Sequence, residues 1–159
     1  LYRGFLETPI GPLEIKASVS GLIFLDFLPP ERCGEPRENL WVAEAKRQLQ
    51  EYFSRKRQSF NLPLQLKGTE FQLAVWEAVL KIPYGETRTY QEIACLLGKP
   101  GGSQAVGQAL KSNPLPIFIP CHRVVGRWDE GGFKGGKNRK LWLLSLEKAA
   151  VEKPAAYQE

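Results

Sequence analysis

The chain has 159 residues, 43% of them hydrophobic and 25% charged, a composition that excludes disorder and fibrous repeats and suffices for a packed core. Three widely spaced cysteines (Cys33, Cys95, Cys121) and one histidine argue against a disulfide framework and a standard Cys/His zinc site, and the chemistry is expected to use no metal or organic cofactor. The apolar runs are too short to cross a bilayer and the start, Leu1-Tyr2-Arg3-Gly4, is no signal peptide, which predicts a cytoplasmic protein, or a nuclear one in a eukaryote, with no membrane partner.

Tyr2 to Glu7, Leu13 to Ala17 and Leu22 to Leu28 read as strands of an antiparallel meander, separated by Pro9-Ile10-Gly11-Pro12 and Ser20-Gly21. After Pro29-Pro30 and a polar loop containing Cys33, Asn39 caps a helix whose Val42, Ala45, Leu49, Tyr52 and Phe53 recur at helical spacing. Arg55-Lys56-Arg57 falls at its C-terminal end, where positive charge suits the helix dipole. Phe60, Leu62, Leu64 and Leu66 alternate as a further strand would, and Lys67-Gly68 is the expected joint between two domains, 1–66 and 67–159.

Beyond that joint the period is helical. Thr69 with Gln72, and Thr89 with Glu92, form capping-box patterns that open two helices, the first ending before Pro83 and the second stopping at Gly98. Ser103 is expected to cap a third, Gln104 to Lys111, with small residues Ala105, Gly107 and Ala109. Two short helices across a glycine-containing turn, the second rich in small residues, fit a helix-turn-helix as well as they fit any packed helix pair. Asn113-Pro114 ends the third helix, and Asn113 is placed to bond across the turn. A glycine-rich loop from Gly126 to Gly136 leads to a closing apolar helix through Leu141, Leu146 and Glu147, and the tail after Pro154 is expected to fray.

Chemistry concentrates in Ile119-Pro120-Cys121-His122-Arg123-Val124-Val125-Gly126. Ile117-Phe118-Ile119 reads as a short buried strand stopped by Pro120, with Cys121 emerging where strand meets loop. His122 and Arg123 beside it are expected to favour the nucleophilic thiolate; the plainer alternative is a buried cysteine acting as a small hydrophobe. Adjacent side chains point apart, so His122 would reach the sulfur through a water. From Lys99 to Lys140 eight basic residues face only Asp129 and Glu130, a bias that suits a polyanionic partner or an ordinary solvated face. Attack on an acyl carbon would make a cysteine hydrolase. Attack on an alkyl carbon would give a thioether that water does not readily cleave, and the protein would act once. A basic helix-turn-helix beside the nucleophile favours a substrate on DNA, where a duplex base must be flipped out to be reached.

Pro120-Cys121-His122-Arg123-Val124, with Ala105-Val106-Gly107, Asn113-Pro114 and Gly85-Glu86-Thr87-Arg88-Thr89-Tyr90 upstream, resembles the O6-alkylguanine-DNA alkyltransferase family of direct-reversal DNA repair proteins, strongly from about Thr69 to Glu147 and weakly before it. The resemblance implies an α+β protein with an N-terminal ribonuclease-H-like α/β domain and a C-terminal winged-helix domain. It implies irreversible, single-turnover transfer of an alkyl group from O6-alkylguanine in double-stranded DNA, with O4-alkylthymine as a further candidate. Cys121 would accept the alkyl group, His122 activate it through a water, Glu147 orient the histidine and Asn113 brace the loop. Tyr90 would help rotate the nucleotide and bond the flipped base. Main-chain groups of Cys121, Val124 and Lys134 would read the guanine edge, and Pro116 and Phe133 line the alkyl pocket. DNA would be held around Ser103, Gln104, Ala105, Gly107, Lys111 and Arg123, by a monomer or by several copies along one duplex.

Two positions depart from the family. Gln104 stands where an arginine usually fills the base stack, and Leu146 where many members carry histidine. A non-catalytic lesion-sensing DNA-binding protein is the alternative reading; related proteins of that kind lack the cysteine, and here it is present at 121.

Overall fold

The computed structural model describes residues 1–29 and 34–152; Cys33 and the tail beyond Pro154 lie outside them. The chain divides into two compact units, Leu1–Leu66 and Lys67–Glu159, and the class is α+β. Among the described residues no helix is long and apolar enough to cross a membrane.

In the first unit, β1 (Tyr2–Leu6), β2 (Leu13–Ser18) and β3 (Gly21–Phe27) form an antiparallel sheet in the order β1-β2-β3, with Leu6 opposite Leu13 and Leu13 opposite Phe27. Period-2 alternation puts Leu13, Ile15 and Ala17 on one fully buried face. Helix α1 (Leu40–Phe53) covers it with Val42, Ala45, Leu49 and Tyr52, and Asn39 caps it by accepting from the Val42 amide at 3.0 Å. Each buried Val, Leu or Ile side chain among these contributes about 1.5–3 kcal/mol. The alternating run from Phe60 to Leu66 does not become a strand. Leu64 makes a single bridge to Leu22, since Pro63 has no amide to extend a ladder, and Gln48 holds the segment instead, bonding both the amide and the carbonyl of Asn61 at 2.9 and 3.1 Å. The basic triplet lies past the Ser54 cap, with Arg55 at φ 64° and Arg57 paired to Glu51 at 2.8 Å.

The second unit opens with α2 (Glu70–Leu80), where Thr69 and Gln72 close the capping box. Its buried Trp76 donates from Nε1 to the Ala109 carbonyl at 3.0 Å. After β4 (Arg88–Thr89), a second box on Thr89 and Glu92 opens α3 (Tyr90–Leu96). The turn at Gly98 (φ 72°) leads to α4 (Ser103–Lys111), completing the helix-turn-helix. Gly102, not Ser103, caps α4; the Ser103 hydroxyl donates to Gln91 Oε1 at 2.9 Å and so joins the two helices.

Ile117-Phe118-Ile119 is buried but is a turn rather than a strand, with Ile117 at φ 77°. Asn113 satisfies this turn: its Oδ1 accepts from the Leu115 amide at 2.9 Å and its Nδ2 donates to the Ile119 carbonyl at 3.1 Å. These side-chain bonds replace the ladder partners a strand would need. Cys121–Arg123 then form one 3-10 turn, β5 (Val124–Val125) pairs in parallel with β4, and α5 (Lys137–Glu152) closes the unit, starting four residues earlier than its apolar run suggests.

Candidate active site

Four segments meet around Cys121: its own 3-10 turn, the N-terminal end of α3 at Tyr90, the face of α4 at Gly107, Leu110 and Lys111, and the glycine-rich loop at Gly132, Phe133 and Lys134, which together line one cavity. The sulfur-bearing residue is 4% exposed. The outer rim continues over Ser103, Gln104, Gln108 and Gly131. The Tyr90 ring lies over α4 at Gly107, where an added Cβ would make only ordinary contact with it at 3.9 Å, whereas Gly131 (φ 73°) lies so close to the Tyr90 hydroxyl that an added Cβ would collide with it. Only glycine fits that strained, crowded position.

Behind Cys121 lies a buried charge network. Glu147, on α5, accepts from His122 Nε2 at 2.6 Å, from Arg123 Nε at 2.8 Å and Nη2 at 3.1 Å, and from the Gly85 amide at 3.2 Å. Burial disfavours its charge, but the bonds from His122 and Arg123 outweigh that and hold its carboxyl at about 2. Burial also lowers the His122 imidazole, against the pull of Glu147, so the neutral ring persists. With Nε2–H donated to an ionised carboxylate, the lone pair of a neutral ring is on Nδ1. That atom is buried and has no hydrogen-bond partner, and the Phe133 ring stands edge-on to the imidazole at 6.5 Å. The ring is therefore built to accept a proton.

The thiol differs from its sequence expectation. Burial pushes Cys121 up to about 11, opposed by a hydrogen bond from Asn113 and by the charges of Lys140 and Lys134. Its sequence neighbours do not do this work: Arg123 spends its charge on Glu147, and neutral His122 carries none. In the free protein the sulfur is thus a thiol that needs a base.

Arg123 is also corrected as a DNA contact. It is 7% exposed, bound to Glu147 through two nitrogens, bonded to the Ile82 carbonyl at 2.7 Å and stacked over Tyr84 at 5.6 Å. A guanidinium so enclosed cannot reach a phosphate. Of the remaining expected contacts, Gln104, Ala105 and Lys111 are exposed, Ser103 and Gly107 half-buried. Pro116 is buried and bridged to Ile119 and is not one of the residues that line the cavity. Val124 is buried, and the Lys134 ammonium donates to the Asn113 carbonyl at 3.4 Å. Sequence reasoning missed Leu110 and Gly132 as walls and Lys140 altogether, although Lys140, Leu143 and Glu147 at i, i+3 and i+7 share one helical face.

Comparison with known proteins is consistent over most of the chain. Residues 70–149 match the family model for the 6-O-methylguanine DNA methyltransferase DNA-binding domain, and residues 1–66 that for the ribonuclease-like domain. A methylated-DNA–protein-cysteine methyltransferase of Methanosarcina barkeri is 46% identical over 156 residues, spanning 92% of this chain and 97% of that protein. One of Mycobacterium leprae is 48% identical over 151 residues, spanning 92% of each. The crystal structure of Mycobacterium tuberculosis OGT in complex with DNA is similar at a TM-score of 0.84 and 43% identity, covering 94% of both chains.

Proposed function

The chain belongs to the 6-O-methylguanine DNA methyltransferase family, and from that membership we propose that it repairs DNA by moving the alkyl group of O6-alkylguanine onto Cys121 in a single irreversible turnover. The observation that carries this reading is the pairing of a cavity-floor thiol with a neutral, glutamate-held imidazole whose Nδ1 is buried and unpartnered.

The chemistry follows from those groups. His122 Nδ1 takes the thiol proton through a bridging water while Glu147 steadies the imidazolium that forms. The sulfur attacks the alkyl carbon from the side opposite O6; the S–C bond forms as the C–O6 bond breaks, and the electron pair leaves on the guanine, which is then protonated. The thioether resists water, so the site does not regenerate. The base leaves the stack first, with Tyr90 at the cavity mouth, Ser103, Gln104, Ala105, Gly107 and Lys111 against the duplex, and the cavity walls around the alkyl group. Guanine is the base read, and the protein acts as a monomer wherever chromosomal DNA is housed, the cytoplasm in a prokaryote.

Incubation with duplex DNA carrying O6-methylguanine is expected to raise the intact mass by one methyl group, mapped to Cys121, with no gain in Cys121→Ser. Tight lesion binding without any gain would overturn alkyl transfer and favour the lesion-sensing alternative.

Gln104 offers a second check. It is exposed on the cavity rim at the start of α4 and brings no charge to the duplex. Gln104→Arg should bind duplex more tightly at low salt, steepen the slope of log affinity against log salt by about 0.9, and speed methyl uptake at limiting DNA. Equal affinities, salt slopes and uptake rates for parent and variant would count against Gln104 facing the duplex.

A further inference from the structure

Trp128 is 88% exposed, more than any other large hydrophobic side chain among the described residues. It stands on the loop between β5 and α5, and its one ring partner among those residues is the Arg127 guanidinium, 5.1 Å from the indole centre. An indole left in water forgoes the burial that aromatic side chains ordinarily supply, so packing within the chain does not explain it. The backbone around it is fixed. Asp129 Oδ1 accepts from the Gly131 amide at 2.9 Å and closes so tightly on Gly126 that a Cβ there would collide with it. Glu130 pairs with Lys137 at 3.6 Å. Both acids of the loop have other partners, and Arg127 is exposed with no carboxylate paired to it among the described residues.

The same loop, three residues on, walls the cavity: Gly131 and Gly132 line its outer rim beside Gln104 and Lys111. Three residues of chain span at most about 11 Å, roughly three base-pair steps of a duplex, so DNA seated on that rim lies close to Trp128. We propose that Arg127 and Trp128 form a second grip on duplex DNA beside the cavity: the guanidinium takes a phosphate, and the indole packs on the sugar and base edge of the adjoining nucleotide. The assignment rests on the reading above that duplex DNA is the substrate, and adds two residues to it. A second copy of the chain would also cover an indole, but a guanidinium laid on that indole, in a stretch with eight basic residues against two acids, suits a polyanion better. The stacked pair is assembled before DNA arrives, so little side-chain freedom is lost on binding. Its two halves differ in kind. The phosphate contact releases a counterion and weakens with salt, whereas packing of the indole on a nucleotide tolerates any sequence. Neither side chain lines the cavity, so the grip governs how tightly DNA is held rather than the chemical step.

The test uses the full chain and an undamaged duplex, with R127Q, W128A and W128F beside the parent. Affinity is read by anisotropy of labelled duplex at a series of salt concentrations, and Trp emission in parallel titrations with unlabelled duplex. R127Q should make the slope of log affinity against log salt shallower by about 0.9. W128A should weaken binding about tenfold with the slope unchanged. Duplex should quench the parent's emission, and W128F, which keeps Trp41, Trp76 and Trp142, should lose most of that quenching. Affinities within about twofold of the parent for both R127Q and W128A, or quenching as large in W128F as in the parent, overturn the grip. So does a parent dimer, seen by sedimentation without DNA, that W128A converts to a monomer at unchanged DNA affinity, because the indole then belongs to a second copy. Methyl uptake separates the grip from the function on which it rests: with saturating O6-methylguanine duplex W128A should match the parent within about twofold. A parent that takes up no methyl group while W128A still loses affinity would sink alkyl transfer and leave the grip standing.

Discussion

His122→Gln slows methyl transfer by about 10²–10⁴-fold and leaves affinity for undamaged duplex within about threefold. The size follows from the sulfur. With burial holding the Cys121 thiol near 11, roughly one molecule in 10⁴ is a thiolate at neutral pH without help, so the base that removes the proton controls the rate. Glutamine at this position can still donate an amide hydrogen to Glu147 in place of Nε2–H, but it has no basic lone pair where Nδ1 stands. The variant therefore separates proton removal from the integrity of the glutamate network. Its thermal midpoint should stay close to the parent's.

The same argument fixes the pH dependence of the parent. His122 must be neutral to accept a proton, and burial lowers its affinity for one. The single-turnover rate should therefore hold down to a pH below the usual histidine value and fall only in more acidic solution, as the ring becomes charged. His122→Gln, which relies on the little thiolate already present, should instead slow about tenfold for each unit that the pH falls, with no plateau. A parent rate that declines already from pH 8 towards 6.5, or a His122→Gln rate within threefold of the parent, would remove His122 as the base.

What could be read from the sequence, and what could not, divides by the range of the interaction. The capping boxes on Thr69 and Thr89 and the Asn39 cap are bonds between residues three apart, so spacing alone carries them. Cys121 beside the only histidine is equally local. The charge of Arg123 was legible but its direction was not: nothing nearby says that a guanidinium in a basic stretch turns inward onto Glu147, 24 residues on. Lysine on a closing helix reads as a solvated residue, which hid Lys140, and the cations that act on the sulfur lie 13 and 19 residues after it rather than at its side. Ile117 to Ile119 misled for a related reason. An apolar run suggests a strand, yet the Asn113 amide supplies the hydrogen bonds that a neighbouring strand would have given. The role of Glu147 came only through the family resemblance, since one acid among the chain's 17 has no local mark that pairs it with His122.

Glu147→Gln is expected to cost about 3–5 kcal/mol of stability at neutral pH and to slow repair as well. The carboxylate takes hydrogen bonds from His122, from the Gly85 amide and from two nitrogens of the Arg123 guanidinium, which is itself nearly inaccessible. The amide that replaces it can accept at one atom only and turns a donor towards groups that are donors already, leaving the Arg123 charge buried without its counter-ion. The dependence on pH identifies the source of the loss. The Glu147 carboxyl sits at about 2 in the folded chain against 4.5 ordinarily. Because its folded value is depressed, the contribution is fully present above pH 4.5 and is lost as pH falls through about 2, an amount on the order of 3 kcal/mol. Urea titrations at pH 7 and pH 3 should find the parent and Glu147→Gln far apart at the first and closer at the second. A gap under 1 kcal/mol at pH 7, or one that does not narrow at pH 3, would mean that the network does not hold the unit together. A folded Glu147→Gln that takes up methyl as fast as the parent would show that His122 needs no carboxylate to act, and the pairing of a held imidazole with a buried thiol would no longer account for the reaction.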